Sequence, residues 1–171
     1  MILTLPLSLN DIKNLKAGDS VFLSCAVLTA RDCAHKRIDE YLDGNKQLPF
    51  EIKDSVIYYA GPCPAKNGMA SGSCGPTTSS RMESFAPRLL DLGLRAIIGK
   101  GEISKEVVTA IKRNGAIYFS AIGGAGALYA SRINKSECIA FEDLLTEAVY
   151  KLEVKNFPVI VACDSYGNCI Y

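Results

Sequence analysis

Residues 95–126 read RAIIGKGEISKEVVTAIKRNGAIYFSAIGGAG, and this stretch decides the fold class. Two short apolar runs, at 95–98 and 116–121, have the length and side-chain content of buried strands. Residues 105–114 between them are predicted to form a helix, and a glycine-rich turn follows at 123–126. Such an alternation of strands and helices is typical of a layered α/β domain.

The rest of the sequence extends this pattern in both directions. The capping-box spacing of Ser8 and Asp11 predicts a helix that Gly18 closes, and Thr29 is expected to cap a second helix. Pro87 is expected to kink or break a third. The predicted helices cover residues 8–18, 31–42 and 77–92, and the predicted strands cover 20–28, 55–59, 138–141, 151–154, 159–163 and 168–170, with turns at 43–45 and 164–167. These elements predict an α/β fold with a mixed sheet that forms part of a barrel.

Composition narrows the classes of function. The apolar fraction of 49% suffices for a packed core and is too high for intrinsic disorder, so residues 1–171 are expected to form one domain. A net charge of +1 with dispersed basic residues lacks the electrostatic footprint of a nucleic-acid or anionic-lipid binder. The first residues lack the leading positive charge of a signal peptide, and no apolar run approaches the roughly 20 residues that cross a bilayer. We therefore expect a cytoplasmic protein.

The chain contains seven cysteines, an odd number, and no two of them have C-x-x-C spacing. We expect most of them to be small buried side chains in a reducing compartment. Without zinc or ferredoxin spacing, the chain is expected to bind no metal itself.

Three segments place polar side chains after predicted strands, where α/β sheets bind their ligands. They are residues 29–35 (TARDCAH), 75–81 (GPTTSSR) and 98–101 (IGKG). Each puts a cation beside backbone that a ligand can approach closely. The glycine-rich stretch 61–75 is predicted to be a loop that lines the site. GGAG at 123–126 lacks the order of a phosphate-binding loop, which favours close packing instead.

The second segment is predicted to begin a helix at Thr77, and the N-terminus of a helix attracts carboxylates and phosphates. Arg81 lies four positions later, on the same helix face, where its guanidinium can grip a carboxylate. The alternative is a polar helix cap followed by a solvated arginine.

Arg31 is predicted to lie at a helix start, which is an unfavourable place for a cation. An anionic ligand would explain it, and the alternative is an ion pair with Asp32 or Glu40. His35, the only histidine, can face the same pocket, although a lone histidine is more often structural. Lys100 lies between two glycines, which leave room for a ligand. Cations and hydroxyls without a nucleophile–base pair predict half of a site for a small dicarboxylate.

Five groups of residues occur in a fixed order along nearly the whole chain. They are TARDxAH, GPxP followed by GSxGPTTSxRM, IxGKG, GGxxAL, and the ending LEVxxFPxIVxxDxxGNxIY. Together they resemble the β subunit of class I fumarases and the small subunit of tartrate dehydratases.

The resemblance implies a swivelling β/β/α domain that docks on an α subunit, in which three cysteines hold a 4Fe–4S cluster. It implies a hydro-lyase of the tricarboxylic acid cycle that hydrates fumarate reversibly to malate and is inactive without its partner. Dehydration of tartrate to oxaloacetate, a non-catalytic carboxylate-binding module and a plain structural domain remain alternatives. Whether the chain also forms a dimer is left open.

The resemblance also implies roles for single residues. Arg31, Arg81 and Lys100 would bind the substrate carboxylates, and Thr77 would be the catalytic base. The helix N-terminus and the same cations would stabilise the threonine alkoxide, and the cations would also stabilise the carbanion that forms beside a carboxylate. Three further residues that match the motifs are expected to lie next to the site residues and to orient them: Asp32, His35 and Thr78.

Overall fold

Seven strands form one mixed sheet in the computed structural model, which describes residues 1–66 and 68–171. The strands are β1 (Ile2–Thr4), β2 (Ser20–Thr29), β3 (Val56–Tyr58), β4 (Ala96–Gly99), β5 (Ile117–Ser120), β6 (Ile133–Ala140) and β7 (Val149–Cys163). The helices are α1 (Leu9–Asn14), α2 (Asp32–Asp43), α3 (Ala86–Asp91), α4 (Lys105–Asn114) and α5 (Gly126–Ala130), and 3₁₀ helices cover Ser79–Met82 and Glu142–Glu147.

The sheet closes on itself. The strand order is β1-β2-β3-β4-β5-β7-β6, and β7 also pairs with β2, so that β2, β3, β4, β5 and β7 form a ring. Strands β1 to β5 run parallel, whereas β7 is antiparallel to β2, β5 and β6. The predicted mixed α/β sheet is confirmed. Its barrel-like arrangement is closed rather than partial, which removes free edges from the five ring strands.

Successive side chains of the inner strands enter two different cores, as the period of two along a strand requires. In β4, Ile98 belongs to one buried apolar cluster, whereas the neighbouring Ile97 belongs to a second cluster that includes residues of α2, α3 and α4. In β5, Phe119 and Tyr118 divide in the same way. The sheet is therefore packed on both faces, which holds the ends of β2 to β5 rigidly.

Helix α4 occupies the predicted residues, because both of its ends carry local signals. The Ser104 hydroxyl accepts a hydrogen bond from the Val107 N–H, which caps the first turn. Gly115 follows the last turn at φ +59°, in the left-handed region that ends helices.

The first helix agrees with the prediction at its start only. The reciprocal hydrogen bonds of Ser8 and Asp11 form the predicted capping box. The helix ends at Asn14, with Leu15 as its C-terminal cap, so Gly18 does not close it. The preceding strand β1 was not predicted.

The helix predicted over residues 77–92 is broken, as expected near Pro87, but its first residues are not helical. This segment contains the short 3₁₀ helix Ser79–Met82 and helix α3, in which Pro87 lies in the first turn. Proline is compatible with that position because the N–H groups there have no partner within the helix. Thr29 is the last residue of β2, so the prediction that it caps α2 was wrong.

Near the C-terminus, the strands predicted at 151–154 and 159–163 belong to the one long strand β7. Asn156 adopts φ +52° within it, and the pairing with β2 continues on both sides. The turn at 164–167 is confirmed, since the Gly167 N–H donates to the Asp164 carbonyl at 3.0 Å. Residues 168–170 form only an isolated bridge, so the last predicted strand was wrong.

The cysteines also differ from the prediction. Four of the five free cysteines are exposed (Cys25, Cys33, Cys63 and Cys138), whereas Cys74 is buried. The other two, Cys163 and Cys169, form a disulfide.

Among the described residues, no helix is long and apolar enough to cross a membrane. Residue 67, inside the predicted loop 61–75, lies outside the described part of the chain.

Candidate functional site

The predicted site segments lie at one edge of the sheet. Arg31 comes two residues after the end of β2, and Lys100 comes directly after β4. Parallel pairing aligns these ends, because Thr29 lies opposite Tyr58 in β3, and Tyr58 lies opposite Ile98 in β4. The carboxyl ends of neighbouring parallel strands therefore bring the three cation-bearing segments together.

Thr77 and Thr78 are extended along this edge and do not begin a helix. The Thr77 N–H donates to the Tyr59 carbonyl at 2.6 Å, and Thr78 forms a parallel bridge with Lys100. The Ser79 N–H donates to the Lys100 carbonyl at 2.9 Å. Pairing with β3 and β4 thus replaces the predicted helical turn. A four-residue 3₁₀ helix cannot supply the helix dipole that was expected to activate Thr77.

The turn that carries Lys100 is held by close packing and buried hydroxyls. A β-carbon at Gly99 would collide with the Ser79 hydroxyl and lie 3.2 Å from a ring carbon of Tyr59. The Ser79 and Tyr118 hydroxyls are 2.9 Å apart, and the Tyr118 hydroxyl donates to the Gly101 carbonyl at 2.7 Å. Only glycine at position 99 allows segment 77–79 to approach β4 this closely.

The glycine-rich turn after β5 lies beside the Lys100 side chain. A β-carbon at Gly123 would lie 3.5 Å from Lys100 Cδ and 3.9 Å from Lys100 Nζ. The prediction of close packing at 123–126 agrees with this geometry, and with the contact of Gly126 with Gly75 and Ser73.

Asp32 joins the two predicted carboxylate-binding arginines. Arg81 donates to Asp32 through Nε and Nη2, each at 2.8 Å, and Arg31 Nε donates to the same carboxylate at 3.2 Å. Burial of Asp32 favours its neutral form, but hydrogen bonds from its backbone N–H and from both arginines outweigh burial and lower the pKa of Asp32. Asp32 is therefore ionised at neutral pH and holds Arg31 and Arg81 side by side.

Arg31 has a second acidic partner that the sequence did not indicate. Glu147 Oε1 lies 3.4 Å from Arg31 Nε, and Glu147 Oε2 accepts a hydrogen bond from the Cys33 N–H at 2.9 Å. The predicted ion pair with Asp32 is present, whereas the second acid is Glu147 and not Glu40. No local pattern links positions more than a hundred residues apart, so only homologous sequences that vary together could have revealed this pair.

His35 lies behind the site and does not face it. Its ring is fully buried, with Nδ1 3.0 Å from the Arg31 carbonyl oxygen. The ring packs edge-on against Tyr59, at 5.1 Å between centroids, and against Phe85. Burial lowers the pKa of His35 to about 4, so the ring is neutral at physiological pH. A neutral Nδ1–H donor to the carbonyl makes His35 a support for the Arg31 backbone.

The four principal residues are held by two separate sets of contacts. The structure brings Arg31 and Arg81 together through Asp32, and it brings Lys100 against the backbone of Thr78. Thr77 is 8% exposed. Five cavities of 300–490 Å³ in the described part of the chain are lined by none of the four residues. A site formed by these residues would need a second molecular surface to enclose it.

The described residues offer no group that fits a metal ion or an iron–sulfur cluster. Within residues 1–66 and 68–171, no three His, Cys, Asp or Glu side chains are grouped closely enough to hold a metal. The site instead offers cationic donors, which bind carboxylates and repel metal ions.

Comparison with known proteins agrees with the motifs. The family model described as Fumarase C-terminus matches residues 2–171. The chain is 43% identical to the "Putative L(+)-tartrate dehydratase subunit beta" of Methanocaldococcus jannaschii, over 96% of this chain and 88% of that protein. It is 42% identical to "Fumarate hydratase 2" of Leishmania major, over 94% of this chain, and 41% identical to "Fumarate hydratase class I, aerobic" of Escherichia coli, over 85%. It spans only 29% and 27% of these two fumarate hydratases. The chain belongs to the fumarase C-terminus family.

Proposed function

We propose that this chain is the β subunit of an iron–sulfur hydro-lyase that hydrates fumarate reversibly to L-malate. The observation that carries the proposal is the grouping of Arg31, Arg81 and Lys100 at one sheet edge, beside Thr77. Three cations at neighbouring strand ends suit a small substrate with two carboxylates. Membership of the fumarase C-terminus family supports the same class of substrate.

In this proposal, Arg31, Arg81 and Lys100 bind the two carboxylates of the substrate. Arginine offers paired N–H groups that match a carboxylate, and lysine adds a compact point charge. In the direction of dehydration, Thr77 Oγ1 removes the proton from the carbon beside one carboxylate. The electron pair left on that carbon is delocalised into the carboxylate, where the cations stabilise the added charge.

A threonine hydroxyl keeps its proton at neutral pH. It needs nearby positive charge to form the alkoxide that can act as a base. Because segment 77–79 is extended, the expected help from a helix N-terminus is absent, and the cations have to supply it alone. Lys100 is paired through its backbone with Thr78, the residue that follows the proposed base. The proposal therefore assigns Lys100 a second role, as the charge that lowers the pKa of the Thr77 hydroxyl.

The proposal places the cluster in a partner α subunit, since the described residues of this chain do not fit one. When bound there, a 4Fe–4S cluster supplies a Lewis acid for the departing hydroxyl group. The partner would also cover the open edge and exclude water from it. A cytoplasmic location belongs to the same proposal.

Tartrate dehydration to oxaloacetate is the second candidate. It is favoured by one observation, which is that the chain covers 88% of a relative named as a tartrate dehydratase β subunit and less than a third of the fumarate hydratases. Malate and tartrate both carry two carboxylates and would use the same cations. Tartrate has one hydroxyl more than malate, so the contacts that distinguish the two would be made to that hydroxyl.

The test is anaerobic co-expression of the chain with its α subunit, followed by measurement of fumarate, malate and tartrate turnover by absorbance. In the active complex, Thr77→Val should lower kcat by at least about 100-fold, as expected for loss of a general base. Valine keeps the shape of threonine and the backbone hydrogen bond to Tyr59. Thr109→Val, on the distant helix α4, removes a hydroxyl of the same kind and should leave kcat unchanged.

Full activity of the Thr77→Val complex would exclude the proposed base.

Calorimetry of the chain alone with fumarate distinguishes an enzyme subunit from a carboxylate-binding module. Half of a site should show little or no affinity, whereas clear binding by the isolated chain, without turnover in the complex, would favour the binding module.

A further inference from the structure

We propose that Glu147 is a positioning residue that orients the Arg31 guanidinium toward the substrate carboxylate. This inference rests on the proposed function, in which Arg31 binds substrate. Glu147 approaches Arg31 Nε at 3.4 Å from a segment of the chain remote in sequence. None of the motifs that mark the family includes it.

Glu147 makes two contacts at the start of α2, and they act together. One oxygen faces Arg31 Nε, while the other accepts the Cys33 N–H at 2.9 Å. Arg31 is the N-cap residue of α2, but its side chain cannot accept a hydrogen bond and caps nothing. Glu147 therefore supplies the missing cap and fixes the adjacent guanidinium at the same time.

Gly61 lies against both Arg31 and the segment that carries Glu147. A β-carbon at Gly61 would lie 3.0 Å from Arg31 Cδ and 2.7 Å from the Thr146 carbonyl oxygen. The absence of a side chain at position 61 therefore lets the Arg31 side chain pack closely beside this segment.

The segment that presents Glu147 has an unusual backbone. Leu145 adopts φ +53° and ψ −118° inside the 3₁₀ helix Glu142–Glu147, which is strained for a residue with a branched side chain. Its carbonyl accepts hydrogen bonds from the Tyr150 hydroxyl and the Ala148 N–H, both at 3.0 Å. This kink persists because its surroundings hold it, and it directs Thr146 and Glu147 toward α2. Strain of this kind is concentrated at functional sites.

The orientation that results suits substrate binding. Asp32 and Glu147 both contact Nε of Arg31. A guanidinium has five N–H donors, so the four on Nη1 and Nη2 remain available to grip a carboxylate with two parallel hydrogen bonds. If Glu147 were removed, the side chain would keep its charge but lose the constraint on its direction.

Two variants separate positioning from capping. Glu147→Gln keeps an oxygen that can accept the Cys33 N–H but loses the negative charge that faces Arg31. Glu147→Ala loses both. In the reconstituted complex, Glu147→Gln should raise KM roughly tenfold with a smaller change in kcat, as expected when a substrate-binding contact loses its orientation. Glu147→Ala should show the same rise in KM and also unfold at a lower urea concentration, because the cap is lost.

A second measurement needs no activity. In NMR spectra of the 171-residue chain, the Arg31 Nε–H signal, identified by its loss in Arg31→Lys, should exchange with solvent faster in Glu147→Gln than in the wild type. Asp143→Asn is the matched control, because Asp143 lies in the same 3₁₀ helix and joins it to α2 through Arg37, at 3.0 Å. This variant should change neither KM nor the Arg31 signal.

The outcomes distinguish the two proposals. If the wild-type complex turns over none of the three substrates, the proposed function fails, and the NMR comparison still decides the position of Arg31. If Glu147→Gln matches the wild type in both KM and Nε–H exchange, Glu147 is only a helix cap and the inference is wrong. If Asp143→Asn shifts both as strongly as Glu147→Gln, the effect belongs to the packing of the 3₁₀ helix, which also overturns it.

Discussion

At the scale of single residues, charge balance shapes the site. Arg31 and Arg81 would repel each other at the sheet edge if Asp32 did not accept hydrogen bonds from both. A carboxylate shared by two guanidinium groups is a way to hold two cations close together. Its value lies in geometry more than in stability, since all three side chains are partly exposed.

Asp32→Asn should therefore separate activity from stability. The amide cannot neutralise the arginines, and its NH₂ group would face their N–H donors, so the two side chains should move apart. We expect kcat/KM of the complex to fall roughly 10- to 100-fold, while the free energy of unfolding changes by less than about 1 kcal/mol. Enzyme assays and urea denaturation measure the two quantities. Asp91→Asn, which breaks an exposed pair with Arg113, should leave kcat/KM unchanged, and unaltered kcat/KM in Asp32→Asn would contradict the argument.

At the scale of elements, the turn after β7 is organised by one buried carboxylate. Asp164 is 1% exposed and accepts hydrogen bonds from the N–H groups of Tyr166, Asn168 and Ala17, at 3.0, 3.1 and 3.3 Å. Ala17 lies in the loop after α1, so the turn ties the beginning of the chain to its end. Burial opposes the charge on Asp164, but these hydrogen bonds and those from the Asn168 side chain outweigh it and lower the pKa of Asp164.

Asp164→Ala should lower the free energy of unfolding by about 2–3 kcal/mol near pH 7, because three backbone N–H groups lose their acceptor. Since the pKa of Asp164 is lower in the folded state, its contribution is complete above the ordinary aspartate pKa of about 4 and is lost as pH falls through the folded value. Urea denaturation at about pH 7 and about pH 3 should thus show a smaller difference between wild type and variant in acid. An equal difference at both pH values would show that the charge of Asp164 does not stabilise the turn.

At the scale of the whole molecule, strand β7 closes the ring by pairing with both β2 and β5. Its buried face carries Phe157, which is 0% exposed and packs against Tyr58 and Tyr129, at 5.2 and 4.6 Å between ring centroids. These three rings come from β3, α5 and β7, so this aromatic cluster joins distant parts of the chain.

Phe157→Ala should destabilise the whole fold by about 3–5 kcal/mol, the usual cost of removing a buried phenylalanine. Phe22→Ala is the control, because Phe22 pairs with β7 in the neighbouring strand but is 42% exposed, and it should cost much less. Urea titrations followed by circular dichroism and by tyrosine fluorescence should coincide for each variant if the ring unfolds as one unit. Transitions that separate would show that β7 can detach on its own.

The sequence alone determined the elements that local signals delimit. Helix α4 is delimited by Ser104 and Gly115, which act within one helical turn, and the apolar runs of β4 and β5 mark strands on either side of it. These signals predicted the α/β class and the mixed sheet. The motifs around Arg31, Thr77 and Lys100 predicted a site at the strand ends, because strand ends can be found from the sequence pattern.

Tertiary structure decided the features that depend on distant partners. Thr77 and Thr78 have the composition of a helix start, but pairing with the ends of β3 and β4 holds them extended. The contact of Glu147 with Arg31 and Cys33 spans more than a hundred residues, and the closure of the ring by β7 joins both ends of the chain. Sequence patterns describe interactions within a few residues, whereas these contacts gain their free energy only when the whole sheet has formed.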